Sequence, residues 1–186
     1  MLRAPLSLPS QRPDRGVAAR NLVHACADYG VREVIVKSKL RRESVDDLLG
    51  AGARLVVFDF DMCILSIHSF FLRLDPRDVA GRSLQSDFVD LPFFQELVGC
   101  LVARGIKVAI ASFGRYDVIQ AFMDRCFEGC GEHLSTVFTR ETICTPSSVG
   151  LVDGFEVAAG KNPQLDKICA HFGVNPSNVL FLDGSC

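Results

Sequence analysis

Short apolar runs that end at polar side chains constrain this chain more than any other feature. Three are clear: residues 54–58 lead to Asp59, 107–111 lead to Ser112, and 179–182 lead to Asp183. Compact runs of this kind, rich in β-branched residues, are typical of strands buried on both faces. A fourth strand is predicted at 135–139 and a short extended piece at 34–36.

Between these runs, apolar residues recur at helical spacing. Residues 62–92 show no strong period, and Asp153-Gly154 is typical of a hairpin turn. Strands that alternate with helices predict an α/β fold, namely a Rossmann-like parallel sheet sandwiched by helices. The predicted helices cover about 17–29, 44–49, 93–102, 114–126 and 162–172.

Length and charge indicate one globular domain with a basic tail. The chain has 186 residues, 48 % of them apolar, and its formal net charge is −2. Residues 1–42 hold nine Lys/Arg against three Asp/Glu, and the remainder holds eleven against nineteen. No apolar run approaches the length of a membrane span. We therefore expect a flexible basic tail over 1–16, a single domain over 17–186, and neither nucleic acid nor a membrane as partner.

The cysteine pattern and the lack of a secretory signal pattern predict a cytoplasmic protein. None of the eight cysteines forms a Cys-x-x-Cys pair and no secretory signal pattern is present, so reduced thiols are expected. Cys126, Cys130 and His133 are close enough in sequence for a metal, but a buried helix end explains them better because no fourth ligand follows at regular spacing. Four arginines in the first twenty residues leave organelle targeting as the alternative location.

The chemistry is expected where the parallel strands end. Asp59 and Asp61 follow the first clear strand, Ser112 and Asp183 end two others, and Lys161 stands at a loop-to-helix junction. Two carboxylates two residues apart repel each other unless a cation lies between them. Because oxygen ligands in a compact site favour magnesium, the sequence predicts a Mg²⁺ site at this edge of the sheet.

Four motifs, in order over about 55–186, resemble those of the haloacid dehalogenase (HAD) superfamily of aspartate-nucleophile phosphohydrolases. They read Val56-Val57-Phe58-Asp59-Phe60-Asp61, Val108-Ala109-Ile110-Ala111-Ser112-Phe113-Gly114, Gly160-Lys161-Asn162-Pro163 and Phe181-Leu182-Asp183-Gly184. The resemblance implies a HAD-like fold and a magnesium-dependent phosphohydrolase that cleaves a phosphomonoester through an aspartyl-phosphate.

The resemblance also implies a role for each matching residue. Asp59 would be the nucleophile, and Asp61 would protonate the leaving oxygen and then activate water. The residues implied to bind the substrate phosphate are Ser112, Phe113, Gly114 and Lys161. The residues implied to hold Mg²⁺ are Asp59, Asp61 (through its backbone carbonyl) and Asp183.

The chain departs from the family pattern at two positions. Cys63 replaces the usual Thr or Val, and Gly184 stands where a second acid is common, with no later acid before Cys186. Each missing carboxylate removes a hard ligand and a charge, so weaker magnesium binding is expected. Either the chain is truncated at its C-terminal end or its site is impaired, and the alternative function is a catalytically impaired HAD-like binding or scaffold protein.

Residues 62–92 leave room for at most a minimal cap. Within the family a small cap often goes with an open site, so the resemblance implies that the substrate is either a phosphorylated small molecule or a phosphoprotein. A receiver domain, which also pairs a phosphorylatable Asp with a distant Lys, fits less well because it lacks a paired Asp two residues on. Basic side chains in this stretch can contact a substrate phosphate, although solvated surface is the commoner fate; they are His68, Arg73, Arg77 and Arg82.

Overall fold

The sheet is parallel throughout, and its strand order reverses next to its central strand. The computed structural model describes residues 32–35, as backbone only, together with 52–153 and 160–184. The order across the sheet is β1-β5-β2-β3-β4, so the chain moves outward from β2 to β4 and then returns past β2 to form β5. Such a reversal opens a crevice at the carboxyl ends of β2 and β5. The strands are β1 (Arg32–Ile35), β2 (Leu55–Phe58), β3 (Lys107–Ala111), β4 (Ile143–Cys144) and β5 (Val179–Asp183).

Helices lie between the strands, as the sequence predicts for an α/β fold. Short 3-10 turns occur at Pro146–Val149 and Pro176–Asn178. No helix among the described residues combines the length and the apolar character needed to cross a membrane. The described helices are α1 (Pro76–Gly81), α2 (Leu84–Asp87), α3 (Leu91–Ala103), α4 (Tyr116–Cys126), α5 (Glu132–Ser135) and α6 (Asn162–Phe172).

Each face of the sheet packs against a different helical layer. Val56 and Phe58 of β2 belong to the larger core, which is rich in phenylalanine and includes α3 and α4. Leu55 and Val57 belong to the smaller core, which includes α6. Successive strand side chains point to opposite faces, so a strand covered on both sides must be apolar at every position. The predicted parallel sheet with helices on both faces is therefore confirmed.

The predicted strand over 135–139 is wrong. Ser135 ends α5, and the fourth strand begins at Ile143 instead. The hydroxyl of Thr142 donates to the carbonyl of Val137 at 2.8 Å and accepts from the N–H of Thr139 at 2.8 Å. These local bonds hold residues 137–142 in a turn, because a Thr side chain competes with the strand ladder for backbone groups.

The other predicted elements fare differently along the chain. The helices expected over 93–102 and 114–126 are confirmed with shifted ends, and β1 overlaps the extended piece expected at 34–36. The tail over 1–16, the helices expected over 17–29 and 44–49, and Gly154 of the predicted hairpin turn lie outside the described residues.

The connection from β2 to α3 carries only the short helices α1 and α2 among its described residues. Its first part, residues 62–74, is called the rim segment below. Met62 and Arg73 near its two ends have φ values of 59° and 52°, which residues other than glycine rarely adopt. Further on, Arg82 binds the buried carboxylate of Asp87 with two hydrogen bonds of 2.5 and 2.8 Å. Arg82, a candidate phosphate contact, is thus engaged in holding this connection.

Candidate active site

Asp59 and Asp183 lie side by side at the reversal between β2 and β5. The parallel register pairs Phe58 with Leu182, and the N–H of Asp59 donates to the Leu182 carbonyl at 2.8 Å. Continuing the alternation of the strands places both aspartates on the face that α6 covers. Each residue is only 9 % exposed, so two carboxylates meet in a nearly dry crevice.

Lys161 bridges these two carboxylates. It immediately precedes α6, and its ammonium nitrogen lies 2.8 Å from Oδ1 of Asp59 and 3.5 Å from Oδ2 of Asp183. The same nitrogen is 5.4 Å from the ring centre of Phe113 and 5.3 Å from that of Phe181, distances at which an aromatic face attracts a cation. Residues that are far apart in sequence therefore form one cluster, as the sequence predicts for Asp59, Phe113, Lys161 and Asp183.

Among the described contacts of the cluster, one ammonium lies beside two carboxylates. The pKa of Asp59 is raised to about 6, mainly because burial penalises its carboxylate and also because Asp183 repels it. The ammonium of Lys161 and the N–H of Phe60, which donates to Asp59 at 2.7 Å, act in the opposite direction. A proton on Asp59 or a further cation beside it would reduce the repulsion between the two carboxylates.

Asp61 has a separate set of partners, which the rim segment supplies. Its Oδ1 accepts a hydrogen bond from the N–H of Ser69 at 3.0 Å. Its Oδ2 lies 3.0 Å from Nδ1 of His68, a distance suited to an ion pair when the imidazole is protonated, although the angle is not that of a hydrogen bond. Sequence reasoning missed Ser69. It lies eight residues after Asp61 in a stretch without a regular period, so no pattern marks its backbone N–H as a partner of that carboxylate.

Ser112 holds together the loop that follows β3. It is 1 % exposed, its Oγ accepts from the N–H of Gly114 at 3.0 Å, and its own N–H donates to the carbonyl of Cys144 at 3.1 Å. A Cβ atom at Gly114 would lie 3.2 Å from Oγ of Ser112 and 3.8 Å from Oγ of Ser69. This loop therefore runs against the rim segment, and the Ser112 hydroxyl keeps its own proton for donation to an anion.

The geometry at the end of β5 leaves no space for a second acid. A Cβ atom at Gly184 would overlap the carbonyl oxygen of Met62 and come within 2.8 Å of Cα of Cys63. Cys63 reinforces this contact, because its thiol donates to the carbonyl of Leu182 at 3.4 Å. Burial and the two nearby carboxylates raise the pKa of the Cys63 thiol to about 12, so it stays neutral. Cys63 and Gly184, the two positions at which the sequence departs from the HAD motifs, thus lie at the same place, where the backbone at Met62 and Cys63 packs against the end of β5.

The site offers oxygen atoms, the type of ligand that Mg²⁺ prefers, but only a small number of them. Within residues 52–153 and 160–184, no group of three or more His, Cys, Asp or Glu side chains is arranged to hold a metal, and Cys126, Cys130 and His133 are no exception. Asp59 and Asp183 offer hard carboxylate oxygens, the kind of ligand that a divalent cation prefers. The carboxylate of Asp61 is engaged by Ser69, which leaves its backbone carbonyl as a further oxygen donor.

No protein-family model, curated protein or solved structure matches this chain. The likeness to the HAD superfamily therefore rests on the four sequence motifs. What the geometry adds is that residues from all four motifs lie along one edge of a parallel sheet, beside the reversal in strand order.

Proposed function

We propose that this protein is a magnesium-dependent phosphohydrolase of the HAD type, with a minimal cap, that cleaves phosphomonoesters through an aspartyl-phosphate. The observation that carries the proposal is the bridge of Lys161 between Asp59 and Asp183 at the strand reversal. Phosphoryl transfer asks mainly for positioning and for stabilisation of charge, and a buried cluster of one ammonium and two carboxylates is suited to both.

In the first half of the reaction, the ionised carboxylate of Asp59 attacks the phosphorus atom. A bond forms between a carboxylate oxygen and phosphorus, and the bond from phosphorus to the ester oxygen breaks, with the electron pair leaving on that oxygen. Asp61 in its protonated form donates a proton to the leaving oxygen. The N–H of Ser69 orients Asp61, and Lys161 balances the charge of the phosphoryl oxygens.

In the second half, a water molecule attacks the phosphorus of the aspartyl-phosphate. Asp61, now ionised, accepts a proton from this water, and the bond between phosphorus and the Asp59 oxygen breaks, releasing inorganic phosphate. Asp59, Asp183 and the Asp61 carbonyl would hold Mg²⁺, which would supply further positive charge to the phosphoryl oxygens. The substrate is a phosphorylated small molecule or a phosphoprotein.

The test is hydrolysis of 4-nitrophenyl phosphate with MgCl₂ by wild type, Asp59→Asn and Asp166→Asn. Asp166 is an exposed acid on α6 and serves as the matched control. We expect Asp59→Asn to lose at least about a thousandfold in rate, the scale seen when a nucleophile is removed, and Asp166→Asn to match wild type. Equal rates for wild type and Asp59→Asn, both shown to be folded by circular dichroism, would contradict the proposal.

The second candidate is a catalytically impaired binding or scaffold protein of the same type. It is favoured by Gly184, because the crossing of the Met62 carbonyl closes that position to any second acid. Calorimetric titration with MgCl₂ separates the two functions. Magnesium binding with hydrolysis supports the phosphohydrolase, whereas no binding at millimolar metal, together with no hydrolysis, supports the scaffold.

A further inference from the structure

A cavity of about 450 Å³ opens between the rim segment and the start of α4. Ser69 forms part of its wall, and the N–H of the same residue donates to Asp61 at 3.0 Å. Ser69 therefore links the wall of the cavity to Asp61, which does not itself line the cavity and is the group that would protonate the leaving oxygen. Its volume lies within the range of pockets that hold small organic molecules.

The lining of this cavity is largely apolar and aromatic. Phe70, Phe71 and Leu74 contribute to its wall. The ring of Phe71 is 76 % exposed and lies 4.0 Å from the imidazole of His68, centre to centre. An exposed phenylalanine ring that lines a cavity offers a surface that a planar apolar ligand can cover.

Two arginines line the cavity, and their charges are balanced differently. Arg115 lies 2.5 Å from Asp117 and 3.9 Å from Asp75, so neighbouring carboxylates offset its charge. Arg73 has no carboxylate within ion-pair distance among the described residues. Arg73 is exposed, and its guanidinium can bind one anionic group of a ligand through charge-assisted hydrogen bonds.

We propose that this cavity binds the leaving group of the substrate and that the leaving group is an aromatic ring bearing a carboxylate. The inference rests on the proposed function, because the role of Asp61 as the acid gives the cavity its place in the reaction. The ring contacts Phe70, Phe71 and Leu74, and the carboxylate meets Arg73. The substrate class is thus an aryl phosphate with one additional negative charge.

The test compares two esters that both release a phenol, 3-carboxyphenyl phosphate and phenyl phosphate. We expect wild type to prefer the carboxylated ester by about tenfold in kcat/KM, the scale of one hydrogen bond to a charged group. Arg73→Gln is expected to bring this ratio close to one, and Arg73→Lys to retain much of it. Arg77→Gln, which changes an exposed arginine that does not line the cavity, should keep the wild-type ratio.

A binding measurement separates this inference from the proposed function. The probe is 3-hydroxybenzoate, titrated in EDTA and followed through the amide NMR signals of Ser69 and Phe70. Binding that Arg73→Gln weakens about tenfold supports the cavity assignment even if no ester is hydrolysed, an outcome that would overturn only the phosphohydrolase. Hydrolysis that depends on Asp59, without a preference between the esters and without 3-hydroxybenzoate binding, would overturn the cavity assignment alone.

Discussion

Asp59, Lys161 and Asp183, called the charged cluster here, lie next to the rim segment but differ from it in burial and in the kind of backbone that carries them. Asp59 and Asp183 stand at the ends of paired central strands and are almost fully buried. The rim segment is a turn-rich connection that anchors itself through buried residues such as Leu65 and Ser69 but leaves Met62 and Phe71 54 % and 76 % exposed. The sheet therefore positions the groups expected to do the chemistry, whereas the exposed side chains of the neighbouring connection can vary with less effect on the fold.

The largest effect is expected from Lys161→Met, which leaves Asp59 and Asp183 without the ammonium that bridges them. Breaking a buried ion pair leaves uncompensated charge, so we expect a loss of about 3 kcal/mol in unfolding free energy at pH 8. The rate of phosphate ester hydrolysis should fall about a hundredfold or more. Urea denaturation and steady-state kinetics measure the two effects.

Lys167→Met is the matched control for that variant. Lys167 lies on the same helix but is exposed, and its ammonium donates to the carbonyl of Ser148. We expect its stability to stay within about 0.5 kcal/mol of wild type. A Lys161→Met protein as stable as the control at pH 8 would show that the ammonium does not compensate the two carboxylates.

The next largest loss of stability is expected where the rim segment packs against the residue that follows β5, Gly184. Gly184→Ala places a methyl group on the Met62 carbonyl, so we expect a loss of about 2–3 kcal/mol in unfolding free energy, as for overpacking in a core. Gly81→Ala is the control, because a Cβ atom there meets nothing within 4 Å. It should be neutral or slightly stabilising. Thermal and urea denaturation of both variants should separate them clearly, and equal stabilities would argue against the close crossing.

A smaller effect is the pH dependence that Asp59 imparts on stability. Its pKa is about 6 in the folded protein against an ordinary value of 3.8, so the folded state holds the proton more tightly. The stability contributed by this group is fully present below about pH 3.8 and is lost as the pH rises through 6. In EDTA, the unfolding free energy of wild type relative to Asp59→Asn should fall by about 2 kcal/mol between pH 4.5 and 7.5. A difference that does not change with pH would contradict the raised pKa.

The smallest effect on stability is expected at Phe71, an exposed position of the rim segment. Phe71→Ala removes an exposed ring, so the unfolding free energy should change by less than about 0.5 kcal/mol. The same variant should weaken 3-hydroxybenzoate binding, because the ring lines the cavity. A loss of stability as large as that of Lys161→Met would remove the contrast between the two regions.

Much of the charged cluster could be predicted because strand ends leave a local signature. Asp59, Ser112 and Asp183 each follow an apolar run, and parallel strands end at the same edge of a sheet. Lys161 could be placed at the start of a helix by the Asn-Pro that follows it. The strand expected over 135–139 failed because hydrogen bonds of the Thr142 side chain close a turn that strand propensity does not reveal.

The sequence by itself determined the parallel α/β architecture and the set of polar residues at its carboxyl edge, because apolar periodicity and the residues that end each run are local properties. Only the tertiary structure decided that Lys161 bridges two acids, that Ser69 holds Asp61, and that the Met62 backbone closes the space at Gly184. Each of these contacts joins residues that are separated in sequence, and it depends on the strand register and on the path of the loops between them. The physical reason is that such distances follow from how the whole chain packs, which no short stretch of residues encodes.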